Sequence, residues 1–294
     1  MSGPHDDLFA VIGLPHPDRA PLPPAAPGGP GVRVLRGVPY AEVPGSRPLE
    51  LDLWLPERGE GDPPSALMLA VHGGAWRYGR RGDMGYRMRD WRPGPFARFV
   101  AAGFVVAAVD YRLNGEATFP APLDDLRAAL RWLALRSGEL GVDTGRTVVW
   151  GESAGAHLVS LLALGGDVPV TGAIAWYGPS DLTLAGDDPT TPEALLLGGA
   201  PTTRPDLARQ ASPLAQVRPG APPFLLVHGE EDTLVDCEHS RRFAARLAEV
   251  GARVDLRTVP GAEHVWHGLG DGEVEEIFAG SLEWARDRVR WGGE

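Results

Sequence analysis

No apolar run in this chain approaches the roughly 20 residues that a membrane span needs. Nor does its start, Met1-Ser2-Gly3-Pro4-His5-Asp6-Asp7, show the basic region and long apolar core of a secretory leader. A single cysteine, Cys237, excludes an internal disulfide, and the expected address is cytoplasmic. Basic side chains are outnumbered 28 to 39 by acidic ones, giving a net charge of −11. A nucleic acid or an anionic membrane surface is therefore not an expected partner, since both require a basic face. No internal repeat and no linker divides the body of the chain, so one domain is expected over residues 32–294. Its hydrophobic content of 43% and charged content of 23% are those of an ordinary globular protein.

What is present begins with a stretch rich in proline, alanine and glycine over residues 1–31, including Pro15, Pro17, Pro21, Pro23, Pro24, Pro27 and Pro30. Such a segment cannot continue a helix or a sheet interior, and it reads as an arm draped over the body or partly disordered. Val32–Leu35 and Leu49–Leu55 then alternate apolar and polar residues, as edge strands of an antiparallel pair do. Leu67–Val71 is apolar throughout, the pattern of a strand covered on both faces. From there strands are expected at Phe104–Val109, Val148–Trp150, Gly172–Tyr177, Phe224–Val227 and Arg253–Val259. Between and after them come helices near Pro95–Ala102, over Leu123–Arg136, after Ser153, around Phe243–Val250 and over about Glu273–Val289. Strands alternating with helices of this length predict an α/β fold, a mostly parallel twisted sheet with helices on both faces. Two stretches interrupt the alternation. Residues 79–95 are rich in arginine, aspartate and glycine, and residues 181–219 are polar and punctuated by proline; both read as cap or lid insertions.

The chain is organised around Val148-Val149-Trp150-Gly151-Glu152-Ser153-Ala154-Gly155-Ala156-His157. An apolar strand ends in Gly-x-Ser-x-Gly and a helix begins at once, which forces Ser153 into a strained turn with its hydroxyl at the tip. Gly151 and Gly155 are needed because a Cβ at either position would meet the neighbouring strand or helix. A serine hydroxyl is a poor nucleophile until an imidazole takes its proton. That imidazole must in turn be held in one tautomer by a carboxylate. In parallel sheets such chemistry gathers outside the carboxyl ends of the strands. His264 follows the strand Arg253–Val259, and Asp232 follows Phe224–Val227. His72-Gly73-Gly74-Ala75-Trp76 follows Leu67–Val71, and its glycine doublet leaves backbone N–H groups free to approach an oxyanion closely.

Rivals exist for each role. His72, His157, His228 and His267 compete with His264, and His267 shares its loop. His157 lies one turn beyond Ser153 and is expected to point along the helix rather than back at the hydroxyl. Glu230, Glu231 and Asp236 compete with Asp232, which could also be a helix cap. Glu152 reads as a hydrogen-bonding or solvated side chain at the turn rather than a base. Trp76 and Trp176 are candidate pocket walls, although tryptophans are more often simply core. Glu263, His264 and His267 could suggest a metal, but no matching ligand set appears elsewhere, so neither metal nor cofactor is expected.

The order Ser…Asp…His, with His-Gly-Gly-Ala-Trp upstream, resembles the α/β-hydrolase fold. More narrowly, it resembles the carboxylesterases of the hormone-sensitive-lipase type and their small bacterial esterase relatives. Val109-Asp110-Tyr111-Arg112-Leu113, Trp176-Tyr177-Gly178-Pro179-Ser180-Asp181-Leu182 and Ala211-Ser212-Pro213-Leu214 support the likeness, which runs from about Pro48 to the end of the chain. The resemblance places the acid at Asp232 through His-Gly-x-x-Asp, and makes His72 a brace of the oxyanion loop. It implies a serine hydrolase of carboxylic esters, short-chain or small aryl, with Ser153, Asp232 and His264 catalytic and the amides of Gly73, Gly74 and Ala154 holding the oxyanion. The expected partner is a small-molecule ester. Ala75 replaces the third glycine of the usual His-Gly-Gly-Gly, and residues 79–95 are longer and more basic than the pattern expects. Two other functions fit the same scaffold: an amidase of the arylformamidase kind, acting on N-formylkynurenine-type amides, and a non-catalytic ligand-binding protein. The retained His264 weighs against the second.

Overall fold

The computed structural model describes residues 16–59 and 61–290. Its centre is one sheet, which among the described residues has nine strands. They are β1 (Ala26–Gly29), β2 (Val32–Ala41), β3 (Leu49–Pro56), β4 (Ser65–Val71), β5 (Phe104–Val109), β6 (Val142–Glu152), β7 (Gly172–Trp176), β8 (Phe224–Gly229) and β9 (Val254–Val259). Their spatial order is β1-β2-β3-β5-β4-β6-β7-β8-β9. The first three strands and β5 pair antiparallel, and every pair from β5–β4 to β8–β9 is parallel. Because β4 lies between β5 and β6, the chain crosses over to either side of it, and in open α/β sheets ligands bind outside the carboxyl ends of the strands at such a switch point.

Five helices cover the two faces. The helices α2 (Ala121–Leu135), α3 (Ala154–Gly165) and α4 (Glu238–Glu249) bury Leu126, Leu130, Leu158, Leu162, Phe243 and Leu247 on one side. On the other, α1 (Pro95–Ala101) and α5 (Asp271–Val289) bury Phe96, Phe99, Phe278 and Trp284 against Met68, Val106, Trp150 and Ile174. The apolar stripe Leu123, Leu126, Leu130, Leu133 reads on the helix α2 as its spacing predicts, with all four buried. This is the α/β-hydrolase fold, mostly parallel with helices on both faces. Among the described residues no helix is long and apolar enough to cross a membrane.

Several elements differ in extent from their apolar signatures. The strand β6 starts at Val142, because Val142 and Asp143 pair with Ser65 and Ala66 before a register shift. Its polar opening, Asp143-Thr144-Gly145-Arg146, hides it from an apolar scan. Within the proline-rich stretch, Ala26–Gly29 forms the edge strand β1 on β2, where Pro27, lacking an N–H, is tolerated. Residues 1–15 of that stretch lie outside the described residues. Residues 181–219 hold five short helical pieces, four of which begin at a proline: Pro192, Pro201, Pro205 and Pro213. Proline fits there because the first helical N–H has no partner to lose.

Residues 79–95 are tied down at two points. Arg81 joins Glu50 and Asp52, at 2.8 Å each, and Asp110, linking the segment to β3 and the end of β5. Arg87 donates to the carbonyls of Trp266 (2.8 Å) and Leu269 (2.9 Å) and to Asp271 (2.9 Å). The segment thus spans from the antiparallel side of the sheet to the loop that carries His264.

Candidate active site

Gly151 ends the straight part of β6 and Gly155 opens α3, and neither could carry a side chain. A Cβ on Gly151 would strike the backbone of Gly155, and one on Gly155 would strike the carbonyl of Val71. Between them Ser153 sits at φ 50°, ψ −119°, a strained conformation for a residue with a Cβ. It is held there by its N–H, which donates to Trp176 O at 2.8 Å, and by its carbonyl, which accepts from His157 N at 3.1 Å.

Two further loops meet this hydroxyl. His264 Nε2 lies 3.0 Å from Ser153 Oγ, and His264 Nδ1 lies 2.6 Å from Asp232 Oδ2. A carboxylate only accepts, so the hydrogen sits on Nδ1 and Nε2 is left to accept from the serine. Asp232 Oδ1 takes the N–H groups of Leu234 (3.0 Å) and Val235 (2.8 Å). Burial works against the ionised Asp232. The donors His228, His264 and Val235 N–H outweigh it, and hold the carboxyl well below the usual aspartate range. Glu263 joins the two loops: it accepts from Thr233 Oγ1 at 2.9 Å and from His264 N at 3.1 Å. The ring of Tyr177 stands edge-on to His264 with centroids 4.8 Å apart.

The three amides named from the sequence divide. A Cβ on Gly73 would lie 2.9 Å from Glu152 O and 3.3 Å from Ser153 Cβ, so glycine is required for this loop to pass the turn. The Gly73 amide faces the Glu152 carboxylate. Like that of Gly73, the amides of Gly74, Ala75 and Ala154 donate to no backbone carbonyl among the described residues. Gly74 at φ 111°, Ala75 at φ 54° and Trp76 at φ 54° give three successive left-handed residues, which turn consecutive N–H groups toward one side. Glu152 also accepts from Tyr177 OH at 2.6 Å. Burial pushes its carboxyl above the ordinary glutamate range, against the pull of that phenol and of the Gly73 N–H.

The remaining sequence candidates have structural partners. His72 Nδ1 is 2.7 Å from Gly73 O and its ring stacks on Tyr111, so it braces the loop after β4. His157 is fully buried between Trp76 and the carbonyl of Ala211. His267 is exposed and its carbonyl accepts from Glu263 N. Trp76 is buried beside His157, and Trp176 packs among Trp150, Trp266 and Tyr177 with its N–H on Ser281. The contacts of Arg87, the Tyr177 partner of Glu152 and the approach of His228 to Asp232 are not foreseen in the sequence, where Glu152 reads only as a hydrogen-bonding or solvated side chain and His228 only as a rival to His264. Only His228 carried a local signal, its place at a strand end four residues before the acid.

Known proteins share both the sequence and the fold. The BD-FAE family profile matches residues 51–247. Esterase LipQ of Mycobacterium tuberculosis is 30% identical over 247 residues, covering 78% of this chain and 56% of the relative. Esterase LipC of the same organism is 29% identical over 255 residues, covering 79% and 59%. This chain thus spans somewhat more than half the length of these curated relatives. Among solved structures, a truncated carbohydrate esterase from gut microbiota superposes with a TM-score of 0.73 at 24% identity, covering 87% of this chain and 96% of that one. The propionate-bound thermophilic esterase of Thermogutta terrifontis gives 0.70 at 24% identity, covering 90% and 97%. At that identity the two structures speak for the fold alone. With its profile matched over most of the α/β-hydrolase core, the chain belongs to the BD-FAE family.

Proposed function

We propose that this protein is a serine carboxylesterase that cleaves short-chain or small aryl esters through an acyl-enzyme. What carries the reading is the unbroken relay from Ser153 Oγ through the imidazole of His264, 3.0 Å on one side, to Asp232, 2.6 Å on the other. Ser153 Oγ attacks the ester carbonyl carbon while its proton passes to His264 Nε2. Asp232 holds the imidazole through Nδ1–H and offsets the charge it gains. The carbonyl oxygen, now an oxyanion, accepts from the amides of Gly74 and Ala154, with that of Ala75 beside them. The tetrahedral adduct collapses, the C–O bond to the alcohol breaks, and the alcohol departs with the proton from His264. Water then attacks the acyl-enzyme, with His264 again taking the proton, and the carboxylic acid leaves as Ser153 is restored. The esterase names of the relatives LipQ and LipC agree with this chemistry.

The test is a panel of p-nitrophenyl esters of increasing acyl length, with an N-formyl aromatic amide run beside it. Short-chain esters should turn over fastest, and Ser153→Ala should lower kcat by about four orders of magnitude or more. Preferential cleavage of the amide would assign the chain to the arylformamidase kind. Full activity in Ser153→Ala would remove the reading altogether.

A further inference from the structure

Asp232 Oδ2 meets two imidazoles. His264 Nδ1 stands 2.6 Å away, and the Nε2 of His228 stands 3.4 Å away from the same oxygen. His228 is fully buried near the end of β8. Its Nε2 is 2.8 Å from the carbonyl of Val235, an atom that can only accept, so Nε2 carries a hydrogen. Its Nδ1 lies 2.7 Å from the hydroxyl of Ser240 on α4, which donates to it. A ring flip would break both bonds, so the ring is fixed with its Nε2–H on Val235 O and the Asp232 carboxylate oxygen 3.4 Å from the same nitrogen.

We propose that His228 is a positioning residue for the hydrolytic centre: its Nε2–H shares Asp232 Oδ2 with His264, fixing the plane of the carboxylate and limiting the charge it presents to the reacting imidazole. This rests on the roles given above to Ser153, His264 and Asp232. Without the His228 donor, His264 is the only side-chain donor left on Oδ2, and the carboxylate becomes the stronger acceptor. A stronger acceptor on Nδ1 favours the imidazolium of His264. The base is then protonated at higher pH, and the acid limb of kcat/KM moves up. The other titratable groups around the pair are Glu152 at the turn, Tyr177 after β7, Glu263 beside His264, and Cys237 and His239 at the start of α4. None of them is altered in the variants below, so a moved limb reports the His228 contact.

Three substitutions separate the donor from the space it fills. His228→Gln places an amide N–H near the former Nε2; His228→Asn is too short to reach Asp232; His228→Phe fills the space with no donor. The limb should rise by about 0.5–1 pH unit in Asn and Phe and stay within about 0.2 of wild type in Gln. With it, kcat should fall about 3- to 10-fold in Asn and Phe, with KM changed less than about twofold. Should the phenylalanine variant not fold, the Asn and Gln pair decides alone. Equal limbs in folded Asn and Gln variants would overturn the proposal and leave His228 a packing residue. A wild-type protein without esterase activity, or a fully active Ser153→Ala, would instead overturn the reading beneath it, an outcome told apart because no His228 variant is involved.

Discussion

The indole N–H of Trp76 donates to His157 Nδ1 at 3.2 Å, and the far side of that imidazole, Nε2, donates to Ala211 O at 2.6 Å. The loop that follows β4 is thereby bolted to the helix that follows Ser153, and that helix to residues 211–213. Ala75 and Trp76 both sit at φ 54°, a conformation that costs energy and persists only where the surroundings hold it. Trp76→Phe keeps an aromatic ring, smaller than the indole, and deletes the donor, leaving a buried acceptor unpaired. The expected loss is about 1–3 kcal/mol in a urea titration. If the loop also aims the oxyanion donors, kcat should drop more than KM rises. An unchanged kcat in a destabilised variant would confine this pair to stability.

His157 also sets a pH dependence. Burial lowers its pKa from 6.5 to about 4, only partly opposed by the Ala211 carbonyl. The unfolded chain therefore takes up a proton between pH 6.5 and 4 that the folded chain refuses, so stability is lost as pH falls through that window. At 1.36 kcal/mol per unit the group accounts for roughly 3 kcal/mol. Urea titrations of the wild type and of His157→Gln at pH 7 and pH 4.5 should show the wild type losing more. Equal losses would assign the acid sensitivity to other groups.

Arg87 acts on the other side of the centre. Its three hydrogen bonds fix the carbonyls of Trp266 and Leu269 and the carboxylate of Asp271. Val265 and Trp266, next to His264, are at φ 55° and 64° and need such support. Arg87→Ala should lower kcat about 10-fold through misplacement of His264, with a smaller change in KM. Arg87→Lys should recover only part of this, since one ammonium cannot span the three acceptors. Steady-state kinetics at fixed ionic strength would show it; wild-type kcat in Arg87→Ala would mean the loop holds itself.

Two glycines in helices separate close approach from flexibility. Gly155→Ala drives a Cβ into the Val71 carbonyl, whereas a Cβ on Gly272 meets nothing within 4 Å. The first should abolish folding or cost several kcal/mol. The second should be neutral or stabilising by up to about 1 kcal/mol, because alanine is the better helix former. Thermal melts of the two variants make the comparison directly.

The parts legible in the sequence were those with a local signal. The strand β4 and the helix α2 show their burial in an unbroken apolar run and a 3.6-residue stripe, and the turn at Ser153 shows its geometry in two glycines. What stayed hidden depends on contacts far apart in the chain. Arg87 reaches residues about 180 positions away, and nothing in its surroundings distinguishes it from Arg80 or Arg89. The Gly73 amide is named by its motif, but its direction toward Glu152 follows from how three loops nest. Trp176 carries no mark of whether its ring faces a cavity or the core, and it lies in the core between Trp150 and Trp266.

The most direct test of the account is trapping at Ser153. Wild-type protein treated with a fluorophosphonate or a slowly deacylated aryl ester should gain one adduct by intact mass. Peptide mapping should place it on Ser153, and His264→Ala should label far more slowly under the same conditions. An adduct on another residue, or wild-type turnover with Ser153 unlabelled, would contradict it.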